Sequence, residues 1–300
     1  MKPAALKKNI SILSLVIGAL TGCGIKDGES TLGKYSRDAN FPMHYIAGGD
    51  IPGNGALYRI DEVSVGQSVA SDFVIGGLTA PGGLVQDFSG NIYISETLPE
   101  PDGRILKLRP DGNEFIEVIT GLDYPTGVAV DSFNQLYVLE NGKQRILKFD
   151  AIGVLSEFIG SEISSPEDGV FDSNDNLFLV EASGQIVSKI SPNGERTIVS
   201  PIITGLLDTS LNSGGRIFVL ETNQYEGTGK VLKVTDSSTT EEILTDLVSP
   251  LAIIFDNANA LYIAEGAPAN RISRYIEGEA NRRVIITTEG EPRGITFSPR

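Results

Sequence analysis

The stretch LYVLENGKQRILKFD, Leu136–Asp150, would pass as an ordinary β-hairpin if it occurred once. The chain also writes IYISETLPEPDGRILKL (Ile92–Leu108), LFLVEASGQIVSKI (Leu177–Ile190), IFVLETNQYEGTGKVLKV (Ile217–Val234) and LYIAEGAPANRISRY (Leu261–Tyr275). Each copy ends its first strand on a glutamate, and Glu96, Glu140, Glu181, Glu221 and Glu265 follow one another at 44, 41, 40 and 44 residues. A period of this length, filled by several short strands, indicates β-propeller blades.

Outward from the hairpin, most units open with proline and an apolar strand: PGGLVQD from Pro81, PTGVAVD from Pro125, PEDGVFD from Pro166, PLAIIFD from Pro250. A polar turn such as DFSGN, DSFNQ or DSNDN follows, then the aromatic strand with its glutamate, a loop, a third strand and a last strand such as NEFIEVIT or GVLSEFIG. Four strands joined by Gly-, Asn- and Asp-rich turns make one antiparallel blade. The C-terminus supplies only a first strand, PRGITFS from Pro292, whereas FPMHYIAGG, GALYRID and SDFVIGG at the N-terminal side match strands two, three and four. The sequence therefore predicts an all-β, six-bladed propeller over residues 41–300, closed by one C-terminal strand pairing with three N-terminal strands, which leaves no open edge.

Strand one leaves the proline face and strand two returns to it, so every strand-two glutamate should lie beside the proline loops. The third strand offers each a partner in Arg104, Arg145, Lys230 or Arg271, with Gln185 as the neutral exception. The glutamates are read as structural latches pinning the loop between strands two and three; the alternative is a ring of acids lining a cation site. Asp87, Asp131, Asp172 and Asp256, at the end of strand one, are expected to bond backbone amides two residues on. The run DSNDN at Asp172–Asn176 lacks the glutamate that completes an EF-hand loop. Tyr93, Tyr137, Phe178, Phe218 and Tyr262 form a column suited to packing between blades.

The N-terminus reads as a targeting segment. Lys2, Lys7 and Lys8 precede the apolar run Ile10–Leu20, which is too short to span a bilayer. Leu20-Thr21-Gly22-Cys23 resembles the bacterial lipobox, which implies cleavage after residue 22 and acylation of Cys23, the only cysteine. Residues 23–40 read as the lipidated cysteine with a flexible tether. By the same resemblance Gly24, rather than aspartate, favours an outer-membrane destination, facing the periplasm or the cell surface. Residues 23–300 carry 21 basic and 39 acidic groups, a net charge of −18 that argues against nucleic acid as a partner. With one histidine no zinc cluster is expected, and no G-x-S-x-G elbow or P-loop is present.

The pattern LYV-x-E followed by RI-x-K resembles bacterial NHL-type propellers and, more distantly, the gluconolactonase/regucalcin family and virginiamycin B lyase. The likeness spans Phe41–Arg300. The lactonase resemblance implies a divalent cation, calcium or manganese, held by a glutamate of an EGP-type strand and by Asn and Asp residues after the prolines. The corresponding positions are taken as Gly82, Thr126, Asp168, Asp208, Leu251 and Arg293, so Asp168 and Asp208 are the candidate metal ligands, without the EGP motif or the asparagines. The lyase resemblance implies a catalytic histidine, and the only one here is His44. No catalytic residue is assigned.

Departures from the repeat mark where a site can sit. The unit from Leu206, LLDTSLNSGGRIFVLE, replaces the usual Gly-Val entry with Asp208, Thr209 and Ser210, and its loop TNQYEGTGK, among the longest, contains Tyr225. With Asp168, Asp208 and Arg293, Tyr225 is a candidate ligand-binding residue on a rim of loops around the central mouth. Two functions follow: a lipid-anchored binding scaffold presenting this face to a protein, peptide or glycan partner, or a divergent metal-dependent lactonase-type hydrolase.

Overall fold

A computed structural model describes residues 43–297, apart from 49–52, 61–70, 161–162, 224, 280 and 289. The targeting segment, Cys23 and the tether lie outside the described residues. Blade 1 joins β1 (Met43–Gly48), β2 (Gly55–Ile60) and β3 (Asp72–Leu78) to the last strand of the chain. Blade 2 is β4 (Pro81–Gln86), β5 (Ile92–Glu96), β6 (Gly103–Leu108) and β7 (Ile116–Leu122). Blade 3 is β8 (Pro125–Val130), β9 (Leu136–Glu140), β10 (Arg145–Phe149) and β11 (Leu155–Ile159). Blade 4 is β12 (Pro166–Phe171), β13 (Leu177–Glu181), β14 (Ile186–Ile190) and β15 (Arg196–Ile198). Blade 5 is β16 (Leu206–Leu211), β17 (Ile217–Asn223), β18 (Thr228–Asp236) and β19 (Thr239–Val248). Blade 6 is β20 (Pro250–Phe255), β21 (Ala260–Glu265), β22 (Arg271–Ile276) and β23 (Arg283–Thr287), and β24 (Glu291–Phe297) returns to pair antiparallel with β1. The six inner strands, β4, β8, β12, β16, β20 and β24, contact one another in a ring, so the expected architecture and its closure are both present.

The burial pattern explains the sequence pattern. Every residue of β5, β9, β13 and β21 is buried, because a second strand is covered on both faces by neighbouring blades. This is why LYVLE and its copies are continuous apolar runs rather than alternating ones. Strand four lies at the rim and is largely exposed, as in β11 and β15. Each apolar core lies between two blades: Ile105, Ile119 and Leu122 of blade 2 pack with Val128, Leu136 and Val138 of blade 3. Met43, Tyr45, Ile295 and Phe297 of blade 1 pack with Ala260 and Tyr262 of blade 6. The aromatic column is buried throughout, and a cation from strand three covers most of its rings, as Lys148 does Tyr137 at 5.4 Å from the centroid.

The turns follow the aspartate chemistry. Asp131 Oδ1 accepts the N–H of Phe133 at 3.0 Å and of Gln135 at 2.9 Å, and Asp87, Asp172 and Asp256 repeat the arrangement. Adjacent turns are laced: Phe88 N–H donates to Asn134 Oδ1 at 2.9 Å and Ser132 N–H to Asp175 Oδ1 at 2.8 Å.

The glutamates hold the other face. Glu140 Oε2 receives Arg145 Nε at 2.6 Å while its Oε1 accepts the Asp123 N–H at 2.9 Å. Glu96 is bonded likewise by Arg104 and the Thr79 N–H, and Glu265 by Arg271, Arg282 and the Val248 N–H. Glu181 stands opposite Ile186, not the expected Gln185, which lies in the loop before β14, and it instead takes Arg196 from strand four, at 2.6 Å, and the Ser164 N–H. Glu221 is partly exposed and meets Lys230 at 3.5 Å. The backbone partners thus lie not between strands two and three but in the turn before strand one. There the residue ahead of each proline is left-handed: φ is 48° at Ala80, 47° at Tyr124, 50° at Ser165 and 43° at Ser249. Side chains with a Cβ disfavour that region by about 1–2 kcal/mol. A buried carboxylate fixing the amide next to it keeps the turn in place.

Candidate functional site

The inner strands enclose a cavity of about 580 Å³ that opens on the proline face. All five complete blades carry a register shift just after the residue that opens strand one, as between Pro125 and Val128. Such a bulge re-aims the intervening side chains. The residue following the opening position is Gly82, Thr126, Glu167, Leu207, Leu251 and Arg293 around the ring, and all six line the cavity. Asp168 and Asp208 stand one residue later, level with Gly83, Gly127, Ala252 and Gly294. The sequence comparison had set them against Thr126 and Arg293, and so passed over Glu167.

That second position also lines the cavity, and it lies close against the next blade. A Cβ on Gly83 would lie 2.7 Å from the Thr126 carbonyl oxygen, and one on Gly127 would lie 2.8 Å from that of Glu167. Aspartate replaces glycine in blades 4 and 5, and each carboxylate accepts an N–H of the following inner strand. Asp168 Oδ2 receives Thr209 N–H at 3.4 Å, and the buried Asp208 receives Ile253 N–H at 2.7 Å on Oδ2 and Thr209 N–H at 2.6 Å on Oδ1. Burial first, and then the neighbouring Asp168 carboxylate, push the Asp208 carboxyl well above the usual range. Glu167 accepts Asn141 Nδ2 at 2.7 Å on Oε1. Burial first and Asp168 second push it up to about 7, against the lowering effect of Asn141.

Hydroxyls on and just behind the wall are engaged in ties within and between blades. Ser95 Oγ accepts Gly83 N–H at 2.7 Å and donates to Thr126 O; Thr97 and Thr126 donate to the carbonyls of Pro125 and Pro166, each at 2.7 Å. Ser210 Oγ accepts Phe255 N–H at 3.1 Å. Arg293, on the blade opposite Glu167 in the ring, lines the cavity and pairs with Glu291 at 3.2 Å. The mouth therefore has an acidic side in blades 4 and 5 and a guanidinium across from it. Tyr225 is fully exposed on the blade 5 loop, outside the cavity lining. His44 is buried in β1 and does not reach the cavity lining. Among the described residues no group of three or more His, Cys, Asp or Glu is arranged to hold a metal ion.

Glu167 gives a pH test of this geometry. Its folded pKa is raised, so the native state keeps its proton longer than the unfolded chain, and stability is lost as pH rises from the ordinary glutamate value to about 7. Glu167→Gln keeps the acceptor for Asn141 without the charge. The variant is expected to gain roughly 1–3 kcal/mol over wild type between pH 4 and pH 8, read from paired denaturant melts. Parallel curves would contradict the assignment.

Residues 122–149, the third blade from its opening turn to the end of β10, match the NHL repeat family model. No curated protein matches the chain. Among solved structures, a chain in a nidogen/laminin complex superposes with a TM-score of 0.68 at 14% identity, covering 86% of this chain and 99% of its own. A gluconolactonase from Xanthomonas campestris gives 0.64 at 14% identity, covering 87% and 91%. Virginiamycin B lyase from Staphylococcus aureus gives 0.55 at 18% identity, covering 72% and 73%. At these identities the likeness is one of fold. The ring of six blades, the glutamate-held turns and the matched segment together make this chain a six-bladed β-propeller that carries an NHL repeat.

Proposed function

We propose that the protein is an exported, lipid-anchored propeller that acts as a binding module, presenting its proline face to a protein, peptide or glycan partner. The observation that carries this reading is how the acids at the mouth are satisfied. Asp168 and Asp208 accept backbone amides of the adjacent blade, so carboxylate oxygens that a divalent ion would need are already engaged within the scaffold. What remains to meet a ligand is Glu167 on one side and Arg293 on the other, with Tyr225 exposed on the rim. The nidogen/laminin complex, a similar propeller crystallised with a partner, supports a partner-binding reading. The lipobox Leu20–Cys23 supports the anchor, with an outer-membrane destination from Gly24.

Isothermal titration with calcium and manganese tests it against the metal-dependent lactonase reading. Little or no binding heat is expected from either ion. Micromolar affinity that disappears in Asp208→Asn would overturn the binding-module reading in favour of a metal site. In cells, a photo-crosslinking residue at position 225 should yield a discrete adduct that the same residue at position 73, on the outer rim, does not.

A further inference from the structure

We infer that the face opposite the proline loops rests on a zwitterionic lipid bilayer through Phe88, Phe133, Ile152 and Val154, so that the cavity mouth points away from the membrane. The inference builds on the lipid-anchor reading above.

The first support is where the chain joins the ring. Met43, at the start of β1, pairs with Phe297, at the end of β24, whose Glu291 end belongs to the proline face. The segment linking Cys23 to the propeller therefore arrives on the opposite face. Its nineteen residues, 24–42, can reach at most about 65 Å. The described chain therefore begins, at Met43, on the side of the turns.

The second support is that on this face the turns between strands one and two are polar or small in blades 4, 5 and 6 but carry an exposed phenylalanine in the two blades that follow blade 1, while the turn between β6 and β7 of blade 2 is polar. Blades 4 to 6 place Ser173-Asn174, Ser213-Gly214 and Asn257-Ala258 between strands one and two, whereas blades 2 and 3 place Phe88 and the 70% exposed Phe133 there. These two turns touch through the Phe88 N–H bond to Asn134 Oδ1. In blade 3 the turn between β10 and β11 adds Ile152, 86% exposed, and Val154. That turn lies two strand spacings outward from Phe133, about 10 Å. All four exposed side chains thus lie on this one face, and within the outer turn Asp150 Oδ1 fixes the backbone by accepting the N–H of Ile152 at 3.0 Å and of Val154 at 2.8 Å.

Charge selects the kind of surface. A chain with 39 acidic and 21 basic groups beyond the cleavage site is repelled by anionic headgroups. Aromatic and aliphatic side chains with satisfied backbone suit the interface of a neutral leaflet. Because the acyl chains supply retention, this contact needs only to orient the domain.

The chain has no tryptophan, so a single introduced indole reports its own position. The acylated full-length protein is reconstituted into phosphatidylcholine/phosphatidylethanolamine vesicles with and without dibrominated phosphatidylcholine, and palmitate labelling is followed in wild type and Cys23→Ser. Insertion of about 5–10 Å brings the indoles of Phe133→Trp and Ile152→Trp near the bromines, and each is expected to lose roughly half its emission. Tyr225→Trp, on the other face, should be unchanged. Labelling at Cys23 with no quenching at 133 or 152, or with quenching at 225 instead, overturns the orientation and leaves the anchor standing. An absence of labelling overturns both. An indole at 133 that is blue-shifted in cell envelopes yet unquenched in vesicles assigns the patch to a protein and also overturns the inference.

Discussion

Glu265→Ala is expected to destabilise the propeller by about 3–5 kcal/mol, the range for removing one member of a buried ion pair. The carboxylate is fully buried and receives Arg271 at 2.7 Å, Arg282, and the Val248 N–H at 2.9 Å. Its loss leaves two guanidinium groups and an amide without their acceptor beside the left-handed Ser249. Thermal unfolding should fall by roughly 6–20 °C for a domain of this size. Burial alone would raise the Glu265 pKa, but Arg271, the Val248 amide and Arg282 outweigh it and hold the carboxyl below its usual range. Stability from a depressed carboxyl is present above the unfolded pKa and lost as pH falls through the folded one. The gap between wild type and variant should therefore persist at neutral pH and narrow only below about pH 4. Glu221→Ala, at a partly exposed site with its lysine at 3.5 Å, is the control, at about 0–1 kcal/mol. Equal losses for the two variants would refute the latch.

Ending the chain after Gly290 is expected to abolish cooperative folding. The deletion removes β24, the inner strand of blade 1, and exposes β1 along the edge where Met43 paired with Phe297 and Tyr45 with Ile295. Ile295 and Phe297 pack against Met43, Tyr45 and Tyr262, and truncating those two side chains alone costs roughly 5–10 kcal/mol. That is comparable with the whole stability of a typical domain. The measurement is loss of a sigmoidal melt and rapid trypsin digestion, with recovery on adding a peptide of residues 290–300. A truncated chain that melts cooperatively would show that the ring does not depend on this closure.

What the sequence made legible is what side-chain type and spacing encode. Pro125 and Glu140 each mark a fixed point of a blade, so the period, the strand count and the split blade could be read directly. The Glu–Arg pairs fall on directly opposed residues, such as Glu140 and Arg145, so they too were readable. Arg196 as the partner of Glu181 was not, because it comes from the short strand β15, outside the hairpin. Nor were the amides of Thr79, Asp123, Ser164 and Val248, since a backbone donor has no residue type. The misplacement of Asp168 by one position has a similar origin. Gly127 and Gly169 look equivalent in letters, yet Thr126 and Glu167 occupy the same place after proline, and only the bulge decides which residues correspond. The upward push on the Asp208 carboxyl comes mainly from burial, which no spacing reveals.

The amide that each buried glutamate accepts lies seventeen residues upstream in every instance: Thr79 for Glu96, Asp123 for Glu140, Ser164 for Glu181 and Val248 for Glu265. The holding contact of a blade is thus internal to one contiguous piece of chain that starts in the connection from the preceding blade. Such a piece is a self-sufficient cassette: copied in tandem, it brings its own fastening to each new junction and asks nothing of its neighbours beyond an apolar flank. The split blade cannot use it. There the position opposite Pro292 falls on the N-terminal strand and is occupied by Ala47, far from the preceding turn in sequence. Growth or loss of blades by gene duplication would leave the fastened junctions intact, and the one junction it could never inherit as a cassette is the seam where the two ends of the chain meet.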